Sequence, residues 1–437
     1  MLFLEINFRK NNYKKYTLFF LAIILQAFLL SACAQNTRAI IDESEVPQYT
    51  LPPLLKCFDG STVSTIDQWE TKRRPEIKEL FEEYMYGKAP GKPQNMIFEV
   101  TSVDDKALGG KAVRKEITVK LLGSDDGPFM DILVYLPVQV NKPVPIFFAL
   151  NFGGNHNICD DKNIALCRSF LPQRFGGDEN NSATEEIRGF RKEKWQIDML
   201  LDRGYGLATV YCGDLDPDKV DYSDGIQSYY YREGQSKPGI NEWGTIAAWA
   251  WGLSRGMDYF ETDDDIDHEK VIVIGHSRLG KTALYAGARD ERFAIVISNN
   301  SGCGGAALSR RAFGETVERI NHNFPHWFCD NFSKYNHNEK ELPVDQHMLV
   351  AMVAPRPVYV ASAIEDLHAD PRGEFLSAKH AQEVYELYGY AQNQLTSWPD
   401  ADKPVVGQIG YHVRSGKHNV TAFDWAAYIK FANIHFD

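Results

Sequence analysis

Residues 271–284 read VIVIGHSRLGKTAL. Val271, Ile272, Val273 and Ile274 are apolar at successive positions, so both faces of the segment seek cover, as in a parallel strand buried between helices. Gly275 and Gly280 bracket Ser277 and let the backbone turn tightly between that strand and the helix predicted after it. This is the local form of a nucleophile elbow. In its usual form, G-x-S-x-G, the second glycine would stand at 279; here Leu279 occupies that position and the glycine is displaced to Gly280. An ordinary strand-to-helix turn that happens to carry a serine is the competing interpretation.

The rest of the chain supplies the setting. KEITVKLL and DILVYLP alternate as antiparallel strands do, and the compact apolar runs IFFALN, GLATVY, VIVIG, FAIVISN and PVYVAS follow. Helical stretches separate them, notably Ile240 to Glu261 and Lys281 to Ala288. Strands alternating with helices predict an α/β fold with a mainly parallel sheet covered on both faces, within one domain over residues 61–437. Residues 155–196 are polar and weakly periodic, and are expected to be an insertion near the rim of a site.

Arg9, Lys10, Lys14 and Lys15 precede the apolar run TLFFLAIILQAFLL, which is of signal-peptide length and short for a bilayer span. LSAC, Leu30 to Cys33, resembles a bacterial lipobox, so residues 1–32 are expected to be removed and Cys33 lipidated; cleavage after Ala34, at an A-x-A site, is the alternative. Residues 33–60, with PQYTLPPLL, then form a tether. The protein is expected to be exported to the cell envelope or beyond, with membrane contact only through the lipid, and to be a monomer. The formal charge of −12 includes +3 from residues 1–32, so the mature chain carries −15. That excludes a nucleic-acid partner, which requires a basic face. Cys57, Cys159, Cys167, Cys212, Cys303 and Cys329 remain, an even set suited to disulfides in an oxidising compartment, with Cys159–Cys167 the expected bridge.

A serine hydroxyl needs an imidazole to accept its proton, and that imidazole needs a carboxylate to fix its tautomer. In α/β-hydrolases the three follow in the order Ser, acid, His, so the partners should lie downstream of Ser277. Glu365, Asp366 and Asp370 follow the strand beginning at Pro357, and His412, His418 and His435 lie near the C-terminus. His418 sits in a polar, glycine-containing turn before the last helix, whereas His435 at the terminus reads as structural.

GHSRLGK resembles the G-x-S-R-x-G-K elbow of the glucuronoyl esterases, carbohydrate esterase family fifteen, whose displaced second glycine matches Gly280. LNFGGNH at 150–156, SNNSGCGGAALSRRAFGETV at 298–317, FPHWF at 324–328, DQHMLVAMVAPRPVYVASA at 345–363 and DLHADPRGEF at 366–375 agree in order. The resemblance spans about residue 70 to the end and implies an α/β-hydrolase three-layer sandwich. It implies Ser277 as nucleophile, His418 as base and Arg278 at the oxyanion, with Lys281 and Glu315 toward sugar hydroxyls. Some members place the acid where this chain has Asn299 and Asn300; others place it at the position of Asp366, which is therefore the expected acid, ahead of Glu365 and Asp370. His368 stands where the family often carries a tryptophan platform for the sugar. The implied substrates are glucuronic acid esters on xylan and in lignin–carbohydrate complexes, with no metal or organic cofactor; another carbohydrate esterase, such as an acetyl-xylan esterase, or a non-catalytic glycan-binding lipoprotein, are the alternatives.

Overall fold

Among the described residues, nine strands make one sheet in the spatial order β1-β2-β3-β5-β4-β6-β7-β8-β9. The computed structural model describes residues 38–390 and 395–436, so the signal segment and Cys33 lie outside the described residues. β1 (Ile97–Lys106), β2 (Ala112–Lys120) and β3 (Phe129–Pro137) pair antiparallel, and β3 pairs antiparallel with β5 (Gly206–Tyr211). From β5 through β4 (Val144–Asn151), β6 (Ile266–His276), β7 (Ile295–Asn299), β8 (Val358–Ala363) and β9 (Ile409–Arg414) every pairing is parallel.

The apolar runs are continuous because each strand buries both faces. Ile146, Phe148, Val271, Val273, Val296, Val358 and Val360 pack with α1 (Thr245–Phe260), α2 (Arg278–Arg289), α3 (Gln346–Ala351) and α4 (Pro371–Leu387). The alternate residues Phe147, Ala149, Ile272, Ile274, Ile297, Tyr359 and Ala361 pack with α5 (Ala422–Phe436). This three-layer arrangement is the α/β fold the sequence predicts. From Ile41 on, the N-terminal segment belongs to the same compact unit and lays Leu54 and Cys57 into the core.

Two strands escaped the sequence patterns. β1 is an edge strand with little buried surface, so it carries no clean alternation. β9 buries His412 and Arg414, polar residues that suggested a loop. The expected Cys159–Cys167 bridge is corrected: all six described cysteines are free thiols. Cys159 belongs to the core on the α5 face of the sheet and Cys167 packs against the core on the other, so the two sulfurs serve as small apolar groups in separate places.

Parallel register brings the carboxyl ends of β6 to β9 level, with His276 opposite Asn299, Asn299 opposite Ala361, and Ala361 opposite His412. Two buried side chains fix the loops that leave this edge. Arg414 donates from Nε to Asp424 Oδ2 at 3.0 Å, and its remaining nitrogens bind the carbonyls of Ser415, Lys417 and Asn419 at 2.7–2.9 Å, closing the turn around His418. Asp424 also accepts from His412 Nε2 at 2.9 Å and from the Thr421 N–H at 2.7 Å. Beside it, Glu374 on α4 accepts from the N–H groups of Ser301 and Gly302 at 2.7 and 3.0 Å and from Ser362 Oγ at 2.6 Å, tying the loop after β7 to β8.

Arg414→Ala would strand three carbonyls and leave Asp424 a buried charge short of its partner, which costs about 3–5 kcal/mol. Urea unfolding should show that loss; a change within experimental error would mean that the brace carries no load. Burial pushes the Glu374 carboxyl up to about 8 against the bonds that favour its charge. Its stabilising contribution is therefore complete below the unfolded value of 4.5 and is lost as pH rises through the folded one. Glu374→Gln keeps the two N–H contacts and removes this proton linkage, so the variant should gain on the wild type between pH 4.5 and about 8, by on the order of 2–4 kcal/mol. Parallel pH–stability curves for the two proteins would contradict this.

Candidate active site

The elbow forms at the end of β6. Ser277 adopts φ 61° and ψ −130°, a positive φ that a non-glycine residue holds at a cost of order 1–3 kcal/mol. Its N–H donates to the Asn299 carbonyl at 2.9 Å, and its carbonyl accepts from Gly280 and Lys281 at 2.8 and 3.1 Å, so the turn is tied to β7 on one side and to α2 on the other. Both glycines are sterically required. A Cβ on Gly275 would lie 1.9 Å from the Leu279 carbonyl oxygen, and one on Gly280 would lie 2.9 Å from that of Asn299. Position 280, where α2 crosses β7, needs the glycine; position 279 faces the core and holds a buried leucine.

Of the three candidate histidines near the C-terminus, His418 meets a candidate acid. Its Nδ1 lies 2.6 Å from Asp366 Oδ2, which also accepts from Asn300 Nδ2 at 2.9 Å. Burial opposes ionisation of Asp366, and the bonds from His418 and Asn300 outweigh it, holding the carboxyl below its usual range. The alternatives are committed elsewhere or turned away. Asp370 caps α4 and pairs with Arg311 at 2.8 Å, and Glu365 is exposed. His412 is held by Asp424, and His435 contacts the Gly407 carbonyl at 3.1 Å. Ser277 Oγ and His418 share no hydrogen bond; catalytic hydrogen bonds often tighten only with substrate in place.

Behind His418 stands a second imidazole. The two rings are 4.5 Å apart, and His276 Nδ1 lies 2.6 Å from Asn299 Oδ1, whose Nδ2 donates to Tyr428 Oη at 2.7 Å. Burial, reinforced by His418, pushes His276 down to about 3, so it is neutral near pH 7 and does not repel a charge on its neighbour.

On the α2 side Arg278 follows the serine, and its guanidinium is paired with the buried carboxylate of Asp218. It lies 4.7 Å from the Trp327 ring and 5.4 Å from that of Phe324. Asp218 also accepts from Trp327 Nε1 at 2.8 Å and contacts His326 Nε2 at 3.0 Å. Burial raises the cost of its charge, but these bonds and Arg278 hold Asp218 far below the usual carboxylate range. Lys281 is buried and donates to the carbonyls of Ser301 and Cys303 at 2.5 and 2.6 Å, with Glu315 Oε2 3.8 Å away. Glu315 Oε1 is 3.4 Å from Nε2 of the exposed His368. That contact raises the histidine, and His368 and Lys281 together keep Glu315 low despite its burial.

Sequence reasoning missed Asp218 and His276. Asp218 is one of several acids in GDLDPDKVDYSDG, and nothing local marks it as the partner of an arginine sixty residues on. The aromatic cluster FPHWF was visible as a motif, but not its role as the wall around Arg278.

The family model described as "Glucuronyl esterase, fungi" matches residues 224–389. A carbohydrate esterase from an unknown prokaryotic organism is 54% identical over 395 residues, 90% of this chain and 91% of the relative. A 4-O-methyl-glucuronoyl methylesterase of Schizophyllum commune is 26% identical over 85% of this chain and 82% of its own. Among solved structures, a promiscuous CE15 esterase from a marine bacterial metagenome superposes with a TM-score of 0.86 at 54% identity, over 91% of this chain and all of that one. A glucuronoyl esterase from Solibacter usitatus gives 0.85 at 45% identity, over 90% and 100%. Identity and fold thus agree over nearly the whole described chain, which belongs to carbohydrate esterase family 15, the glucuronoyl esterases.

Proposed function

We propose that this chain hydrolyses esters of D-glucuronic acid, or of its 4-O-methyl form, with Ser277 as nucleophile, His418 as general base and Asp366 as the triad acid. The observation that carries the assignment is the 2.6 Å contact between His418 Nδ1 and Asp366 Oδ2, at the same sheet edge as the strained serine turn. With Nδ1 bound to a carboxylate, Nε2 is the nitrogen left to take the serine proton, and the imidazolium that forms is stabilised where it forms.

The serine oxygen attacks the uronoyl carbon, His418 passes its proton to the departing alcohol, and water repeats the sequence on the acyl-enzyme. The Arg278 N–H stands next in chain to the nucleophile, the usual oxyanion position, at the positive end of α2. Its guanidinium is held beforehand by Asp218 and two aromatic rings, so little reorganisation is needed as negative charge develops. Lys281, Glu315 and His368 form a linked polar wall on the α2 side suited to sugar hydroxyls.

Glucuronic acid esters on xylan and lignin are the proposed natural substrates, in keeping with relatives named 4-O-methyl-glucuronoyl methylesterases. Export by the N-terminal signal, with Cys33 as a lipid attachment point and the mature enzyme monomeric, belongs to the same proposal. Among the described residues no helix is long and apolar enough to cross a membrane.

Methyl and benzyl glucuronates should be turned over by the wild type and not by Ser277→Ala, while an acetyl ester serves as control. Asp366→Asn should lower kcat by about 10⁴-fold, because an amide leaves the imidazole in the wrong tautomer, and Glu365→Gln should stay near the wild-type rate. Hydrolysis of acetyl esters alone would sink the uronate assignment, and a full loss in Glu365→Gln would move the acid.

A further inference from the structure

A cavity of about 250 Å³ opens beside His418. Ile274 and Trp425, core residues of the α5 face, form part of its wall, and His276, next to the nucleophile in the chain, stands in the same lining. That lining includes polar atoms with no partner among the described residues. One is Nε2 of His276. Nδ1 of the ring meets Asn299 Oδ1 at 2.6 Å, while the Asn299 nitrogen is spent on Tyr428 Oη at 2.7 Å and turned toward Asp424 Oδ1 at 3.4 Å, so Nδ1 carries the hydrogen and Nε2 a bare lone pair. The others are Oδ1 of Asn157 and Nε of Arg191, both buried. Asn157 and Arg191 belong to the segment 155–196, which thereby reaches the site.

Deacylation gives such atoms a use. The water oxygen forms a new bond to the acyl carbon and the bond from that carbon to Ser277 Oγ breaks; one water hydrogen passes to His418 Nε2 and on to the serine oxygen, and the acid leaves with the other. His418 thus holds one O–H of the attacking water. Unless the second O–H is held as well, the water oxygen is aimed at the acyl carbon for only a fraction of the time. We propose that His276 positions the hydrolytic water by accepting that second hydrogen at Nε2, with Asn157 Oδ1 and Arg191 Nε holding further water behind it. This rests on the acyl-enzyme assignment above.

Distance and competition favour His276. A water donating to two acceptors at about 2.8 Å each spans about 4.5 Å between them, and the two imidazoles stand 4.5 Å apart, centre to centre. The Asn299 amide that holds His276 faces Asp424, the carboxylate that binds Arg414 and so braces the turn around His418. Both rings are therefore referred to one buried group. Other side-chain oxygens of the lining are taken: Asn151 Oδ1 by the Gly153 N–H at 3.3 Å, Asn419 Oδ1 by the Val420 N–H at 2.9 Å and by Lys194, and Asn299 Oδ1 by His276 itself. Asn157 Oδ1 is free and lies against Gly153, where a Cβ would stand 3.2 Å from it. A buried water needs about two to four polar partners, and these side chains supply acceptors and a donor. Burial keeps His276 neutral near pH 7, which preserves the lone pair this role requires.

Methanol separates the positioning of water from a merely structural role, because its single O–H goes to His418 and needs no second acceptor. The test follows benzyl glucuronate in the presence of methanol, measuring the initial ratio of glucuronic acid to methyl glucuronate and, by intact mass, the glucuronoyl-enzyme. In His276→Phe, which keeps a ring against His418, the ratio should fall about tenfold and glucuronoyl-enzyme should accumulate. His276→Asn, which keeps a donor for Asn299, should do the same and stands in if the phenylalanine variant does not fold. His276→Gln, whose amide oxygen reaches toward the place of Nε2, should recover most of the ratio. An unchanged ratio in a folded, acylating Phe or Asn variant would overturn the inference, even if every step were slowed. The mass of the adduct keeps this apart from the uronate assignment. A wild type that forms only an acetyl-enzyme, from an acetyl ester, would lose the uronate assignment, and the ratio of acetate to methyl acetate would then decide the role of His276. A wild type inert toward every ester would discard both.

Discussion

The close approach of the start of α2 to the ends of β6 and β7 governs everything at this sheet edge. It leaves no room for a Cβ at Gly275 or Gly280, forces Ser277 into a positive φ, and ties the serine N–H to the Asn299 carbonyl. Strain of this kind persists only where the surroundings over-determine it. Here the surroundings are a parallel sheet buried on both faces, whose register leaves little freedom to slide. Once the serine is fixed, the loops after β7, β8 and β9 can deliver the remaining groups from one edge.

Those loops are held by charge buried in pairs. Arg278 with Asp218, Arg311 with Asp370 and Arg414 with Asp424 each join a residue near the site to a distant element. Desolvation consumes most of what such pairs gain, so their contribution to net stability is small relative to the cost of removing one partner. Their use here is geometric: a planar guanidinium that satisfies a carboxylate and several carbonyls at once admits few loop conformations.

Much of this was legible in the residues. The doubly apolar strands follow directly from burial on two faces, and the bracketed serine follows from the need for a turn. Order along the chain narrowed the acid and the base to three candidates each. Resemblance, rather than spacing, then favoured Asp366 and His418. What stayed hidden depends on contacts made across the fold. β9 carries His412 and Arg414 at buried positions, where polarity suggests a loop until Asp424 is seen opposite them. The cysteines suggested a bridge because sequence distance says nothing about which face of a sheet each thiol reaches. Asp218 could be picked out of its acidic run only once Arg278 was placed beside it.

Asn300 shows how a neutral neighbour can stabilise a buried carboxylate. It takes φ 46°, in the left-handed region that asparagine enters more readily than most residues, with its N–H bonded to the Ala361 carbonyl at 2.7 Å. Its side chain and that of Asp366 therefore meet at the ends of adjacent strands, where Asp366 faces the His418 imidazole. Two carboxylates at that separation could not both stay ionised, because the like charge would raise one of them. An amide at 300 avoids the conflict and donates to Asp366 Oδ2, adding to the forces that keep the acid charged in a buried place. The asparagine thus supports the charge on Asp366, and the carboxylate facing His418 is held by both residues together.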